Sequence, residues 1–169
     1  IEIPVLDKFV GFDLLKRDWV MPYGKGFQTD ILFKLVKRRA ERFRDHDVTL
    51  AVSFPNEQDG IQPYYAHLSR GSDLRLPYHA PVDGYLPDEK IHSKREPGVI
   101  YERKDFVQRS DTNYFFRVRT QVDDDGNIEN AYYGKIYEPI RLLDFTEEQE
   151  GNGKIQFNYY LLKILKIII

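Results

Sequence analysis

The sequence predicts a mainly β protein, an antiparallel β-sandwich with long proline-rich loops. Three observations carry that expectation. The run NYFFRVRTQV alternates in parity as a half-buried strand does. Short β-branched and aromatic runs recur along the chain, separated by Pro, Gly, Asn and Asp. The 9 prolines and 11 glycines are spread throughout, which disfavours long helices and favours many turns. At 169 residues and 20.0 kDa the chain has the size of one domain, and no linker or repeat divides it, so a single β-rich domain over 1–169 is expected.

The elements follow in chain order. Around Trp19 and Tyr23, Pro22 and Gly24 mark a turn. Asp30–Arg44 reads two ways. Ile31, Phe33 and Leu35 alternate as a strand ending near Lys37 would, while Leu32, Val36, Ala40 and Phe43 recur at helical spacing, so a short helix is the alternative. Val48–Phe54 is a strand closed by the turn from Pro55 to Gly60, and the preceding strand pairs with it across a basic loop. Gly60–Arg109 holds Pro63, Pro77, Pro81, Pro87 and Pro97, which exclude central strands. Ordered loops and short edge strands are expected there, held down by Tyr64, Tyr65, Leu74, Leu76, Tyr78, Val82 and Tyr85. Asn113–Tyr137 is a β-hairpin: Gly126 suits a positive φ in the DDDGN turn, and IENAYYGKIY returns. Lys154–Tyr160 alternates Ile155, Phe157 and Tyr159 against Lys154, Gln156 and Asn158. The apolar tail Leu161–Ile169 completes a terminal strand or forms a packing surface for a partner or a second copy.

Composition narrows the function. Net charge is −2 with a pI near 6.1, which argues against an overall nucleic-acid or membrane-surface binder. No apolar stretch reaches the roughly 18 residues of a membrane span. With 0 cysteines, thiol catalysis, disulfides and cysteine-ligated metal are excluded. Ile1 in place of a start methionine suggests a removed leader and hence export. His46, His67, His79 and His92 lack HxH or HExxH spacing, serines lack a GxSxG context, and Tyr23–Gly26 lacks phosphate-loop spacing, so no metal, cofactor or catalytic residue is expected. Asp123, Asp125 and Asn127 alternate as calcium ligands do, but the twelfth position is Gly134, which rules out an EF-hand. The basic cluster Lys37, Arg38, Arg39, Arg42 and Arg44 reads as a solvated face.

Aromatic content is 14%, with 12 Tyr and 11 Phe. Sugar rings stack their C–H faces on such rings while charged and amide groups bind hydroxyls. If the hairpin loop spans Asp123–Asn127, Val122 pairs with Ile128 and Arg117 lies opposite Tyr133. Phe115, Arg117 and Arg119 then share an outer face with Tyr133, Lys135 and Tyr137. That aromatic–cationic strip is the expected glycan-binding site, with Trp19 and Tyr23 as a second candidate.

The stretch NYFFRVRTQVDDDGNIENAYYGKIYEPI, over Asn113–Ile140, resembles the closing strands of uncharacterised exported β-rich bacterial domains of lipoprotein or accessory type. The resemblance implies a secreted or cell-surface bacterial protein with an accessory role. Together these readings give the expected function: a non-catalytic, carbohydrate-binding or accessory module. The alternative is a structural or assembly protein that pairs through edge strands and the Ile-rich C-terminal tail.

Overall fold

A computed structural model describes residues 1–38, 46–65, 79–95, 112–143 and 152–165. It is an antiparallel β-sandwich, with no helix among the described residues. The strands are β1 (Val10–Asp13), β2 (Asp18–Trp19), β3 (Ile31–Arg38), β4 (His46–Ser53), β5 (Gly60–Tyr65), β6 (Asp88–Arg95), β7 (Thr112–Val122), β8 (Ile128–Leu143) and β9 (Lys154–Leu165). A front sheet of five strands runs β2-β1-β3-β4-β6, and a back sheet of four runs β5-β7-β8-β9.

Alternation explains the front sheet. Ile31, Phe33 and Leu35 on β3 and Val48, Leu50 and Val52 on β4 all lie at 1% exposure or less, with Phe33 paired to Val52 and Leu35 to Leu50. Each such buried side chain contributes about 1.5–3 kcal/mol, so over the described part, Ile31–Arg38, the strand period wins over the alternative short helix; Ala40 and Phe43 lie outside the described residues. The expected β3–β4 hairpin forms. The basic residues of its connection, Arg39, Arg42 and Arg44, lie outside the described residues.

Two short strands went unread in the sequence. β1 and β2 form a tight hairpin, with Phe12 opposite Trp19. The rings of Phe12, Trp19, Phe33 and Phe157 meet edge-on or tilted at 5.4–6.2 Å, a geometry that suits aromatic quadrupoles. Phe157 comes from β9, so this cluster joins the two sheets into one core.

Proline sets the edges. Among the described residues, β5, which contains Pro63, has only β7 as a sheet neighbour, and β6, which follows Pro87, has only β4. Between them the chain changes sheet: Ile61 and Leu86 exchange both backbone bonds, and two residues later β6 begins to pair with β4. Of the anticipated anchors, Leu74, Leu76 and Tyr78 lie outside the described residues.

The β7–β8 hairpin has the anticipated five-residue loop. Val122 pairs with Ile128 and Arg117 with Tyr133. The loop closes through bonds between Asp123 and Asn127, and Gly126 sits at φ +83°. The hairpin extends beyond Tyr137 to Leu143, and β9 beyond Tyr160 to Leu165. Residues 166–169 of the Ile-rich tail are outside the described set.

Candidate functional site

The outer face of the back sheet follows from register. Gly60, Arg117, Tyr133 and Leu162 form one row across it and Gln62, Phe115, Lys135 and Tyr160 the next, with the pairs Tyr64–Asn113 and Tyr137–Asn158 beyond them. The opposite parity, including Phe116, Val118 and Ile136, fills the core at 0–1% exposure. The predicted register of the strip therefore holds, but three of its expected contacts and one residue of the second candidate are corrected.

Arg117 is buried. Its Nε and Nη2 donate to the Gln58 carbonyl at 3.0 and 2.7 Å and its Nη1 to the Val82 carbonyl at 3.2 Å. Its guanidinium lies 4.8 Å from the Tyr85 ring centroid, and Tyr85 in turn meets Tyr133 edge-on. The loop that carries Val82 and Tyr85 thus covers Arg117 and flanks Tyr133, an arrangement strand periodicity cannot anticipate. Burial pushes the Tyr85 hydroxyl well above the ordinary tyrosine range. Tyr133 is left half-buried.

Phe115 is only 4% exposed although it faces away from the core. Tyr64 leans on its ring at 5.5 Å and the Lys135 ammonium lies 5.6 Å above it. Phe115 is therefore the floor of the face rather than a contact surface. Burial draws the Lys135 amine below its ordinary pKa.

Arg119 leaves the face altogether. Val118 pairs with Tyr132 but Gln121 pairs with Asn130, so Arg119 and Thr120 together oppose Ala131. This bulge, with Arg119 at φ +54°, turns its side chain towards the front sheet. There its Nε donates to Asp30 Oδ1 at 2.6 Å, and its Nη2 to Asp30 Oδ2 at 2.9 Å and to Asp13 Oδ1 at 3.1 Å. The Asp59 carboxylate caps the bulge by accepting from the Arg119 and Thr120 amides, both at 2.9 Å. Burial pushes the Asp59 pKa up, the bonds from Thr120 and Arg119 only partly opposing it.

Trp19 is the fourth correction. It is 4% exposed, packed on Phe12 and Phe33, with Nε1 donating to the Glu2 carbonyl at 2.8 Å. A lone Trp beside a turn is drawn into the core because it brings more apolar surface than any neighbour. Tyr23 is exposed, but on the β2–β3 loop and away from the sheet face.

The surviving surface is Tyr133, Lys135 and Tyr137, and the structure adds Tyr160 and Tyr64. Tyr160 is 63% exposed and stacks on Tyr137 at 5.4 Å and 24°. The signal for Tyr160 was present: it continues the outward parity of Lys154, Gln156 and Asn158. Among the described residues, no group of three or more His, Asp or Glu is placed to hold a metal ion. Asp13 and Asp30 are both paired with Arg119. Comparison with protein-family models, with curated proteins and with solved structures finds no match to this chain.

Proposed function

We propose that the chain is a non-catalytic accessory module of an exported bacterial protein, and that it binds carbohydrate on the outer face of the back sheet. The observation that supports this reading most is the group of rings Tyr133, Tyr137 and Tyr160 around Lys135, laid over the Phe115 floor. Tyrosines offer apolar faces with hydroxyl tips, and Lys135 supplies a donor between them. A cysteine-free chain also carries no thiol for an oxidising compartment to alter. Binding of the chain to an array of plant, microbial and sulfated glycans tests the reading. Tyr160→Ala and Tyr133→Ala are each expected to weaken a positive signal by about tenfold, on the order of 1.4 kcal/mol. Silence across the array removes the proposal.

The edge of β9 favours a second reading, assembly through strand pairing. Ile1 and Ile3 pair with Ile155 and Gly153 and cover only the start of that edge. Further along, no other strand among the described residues lies beside it. Such an edge accepts a strand from another chain. A molecular mass that rises with concentration in light scattering, and falls when Leu162 is replaced by Lys, would favour this reading.

A further inference from the structure

The β1–β2 turn and the β2–β3 loop project the most exposed apolar side chains at that end of the sandwich. Phe27 is 70% exposed, Met21 60%, Leu15 50% and Tyr23 49%. They do not dangle from a loose chain. The buried Asp13 carboxylate accepts from the amides of Leu15 and Lys16 in the turn and of Phe27 and Gln28 in the loop, at 3.0–3.3 Å. Asp18 accepts from the Trp19 and Lys25 amides at 2.8 and 2.9 Å, and Gly26 donates to the Trp19 carbonyl. Backbone polarity is thus largely spent inside the loops, while their tips are apolar.

The rim is cationic. Lys16, Arg17 and Lys25 are exposed, and the Lys16 ammonium lies 5.5 Å from the Phe27 ring centroid. Residues 14–29 hold these three cations against Asp18 alone, a local charge of +2 in a chain whose net charge is −2. Asp13 and Asp30 face the same loops but are engaged by Arg119. The acidic residues Asp123, Asp124 and Asp125 belong to the turn between the two inner strands of the back sheet. The basic loops instead adjoin its β9 edge, where the Tyr159 hydroxyl donates to the Leu14 carbonyl.

We propose that this loop end docks on an anionic lipid surface, with Phe27, Met21, Leu15 and Tyr23 entering the headgroup–acyl boundary and Lys16, Arg17 and Lys25 facing the headgroups. Apolar side chains on separate convex tips fit a deformable interface better than a rigid groove, and the alternating cations select negative charge. Because Asp13 and Asp18 fix the loops beforehand, little ordering entropy opposes insertion. The surface shares no residue with the carbohydrate face.

Co-sedimentation of the full chain with vesicles tests the proposal, using phosphatidylcholine alone and phosphatidylcholine with phosphatidylserine. Binding is expected only to the serine-containing vesicles. The double variant Met21→Ser, Phe27→Ser is expected to lower partitioning about tenfold or more. The charge variant Lys16→Gln, Lys25→Gln is expected to lower it by about fivefold per charge and to flatten its salt dependence. Both keep the wild-type melting temperature if the loops are only a surface; should the apolar variant unfold, the charge variant still decides. No binding to the anionic vesicles at low salt overturns the proposal. So does undiminished binding by the charge variant, or a Phe27-dependent dimer in light scattering with no lipid binding, which would make the patch a self-interface.

Discussion

Replacing Arg119 with Met tests the claim that one bulged residue ties the two sheets together. The arginine side chain is 17% exposed, while those of its partners Asp30 and Asp13 are 0% and 4% exposed. Methionine keeps most of the stem volume but strands two carboxylates away from water. Removing one partner of a buried ion pair costs about 3–5 kcal/mol. For a chain of 169 residues that corresponds to a fall in Tm of about 6–20 °C. Urea unfolding followed by tyrosine and tryptophan fluorescence measures the loss directly. The pH dependence adds a sign. In the wild type, burial alone would raise the Asp13 pKa, but the amides of Lys16, Phe27 and Gln28 and the Arg119 cation hold it below the ordinary carboxylate value. Its stabilisation is therefore present above the unfolded pKa of about 3.9 and lost as pH falls through the lower folded value. In the variant the cation is gone and protonation relieves the stranded Asp13. The stability gap between the two proteins should narrow from pH 7 towards pH 3. A loss below about 1 kcal/mol, or a gap that does not change with pH, would refute this account of the cluster.

Two further outcomes follow from local geometry. A Cβ on Gly134 would lie 2.1 Å from Phe116 Cζ and 2.5 Å from the Tyr160 carbonyl, and Phe116 is fully buried, so Gly134→Ala should cost about 1–3 kcal/mol in denaturant unfolding. Asp59→Asn replaces one of two accepting oxygens with a donor facing the bulge amides, and a loss of about 1–3 kcal/mol at pH 7 is expected. Because the Asp59 carboxyl is raised above its unfolded pKa, its ionised form opposes folding once pH exceeds that unfolded value. The penalty of Asp59→Asn relative to wild type should therefore be largest at low pH, where wild-type Asp59 is protonated and relieved of its charge; a penalty that grows steadily from pH 4 to pH 8 would contradict the assignment.

Much of the outer face of the back sheet was legible in the sequence because a strand's side-chain period is two. The parity of Phe115, Arg117, Tyr133, Lys135 and Tyr137 needed only the loop length, and Asp123–Asn127 supplied it. Tyr160 lay in the same pattern one strand further on. What those residues do on that face was not legible. Arg117 and Phe115 were expected to meet solvent, and a loop 35 residues away in sequence from Arg117 binds the former while Tyr64 and Lys135 cover the latter. The β1–β2 turn and the β2–β3 loop illustrate the same divide. Trp19 and Tyr23 are close neighbours in sequence, yet the first packs in the core and the second is half-exposed, because the β1–β2 hairpin turns one inward and the loop carries the other away.

Alternation and proline placement, both local, determined that this chain pairs antiparallel strands into a sandwich, where its main hairpin turns, and that the proline-bearing stretch after Gly60 supplies edge strands. The tertiary structure alone decided that Arg119 leaves its parity for Asp13 and Asp30 on the opposite sheet, 89 residues from Asp30 along the chain. A bulge reverses a side chain at a small local cost, so its direction is chosen by the buried carboxylates waiting across the core, and no window of neighbouring residues contains them.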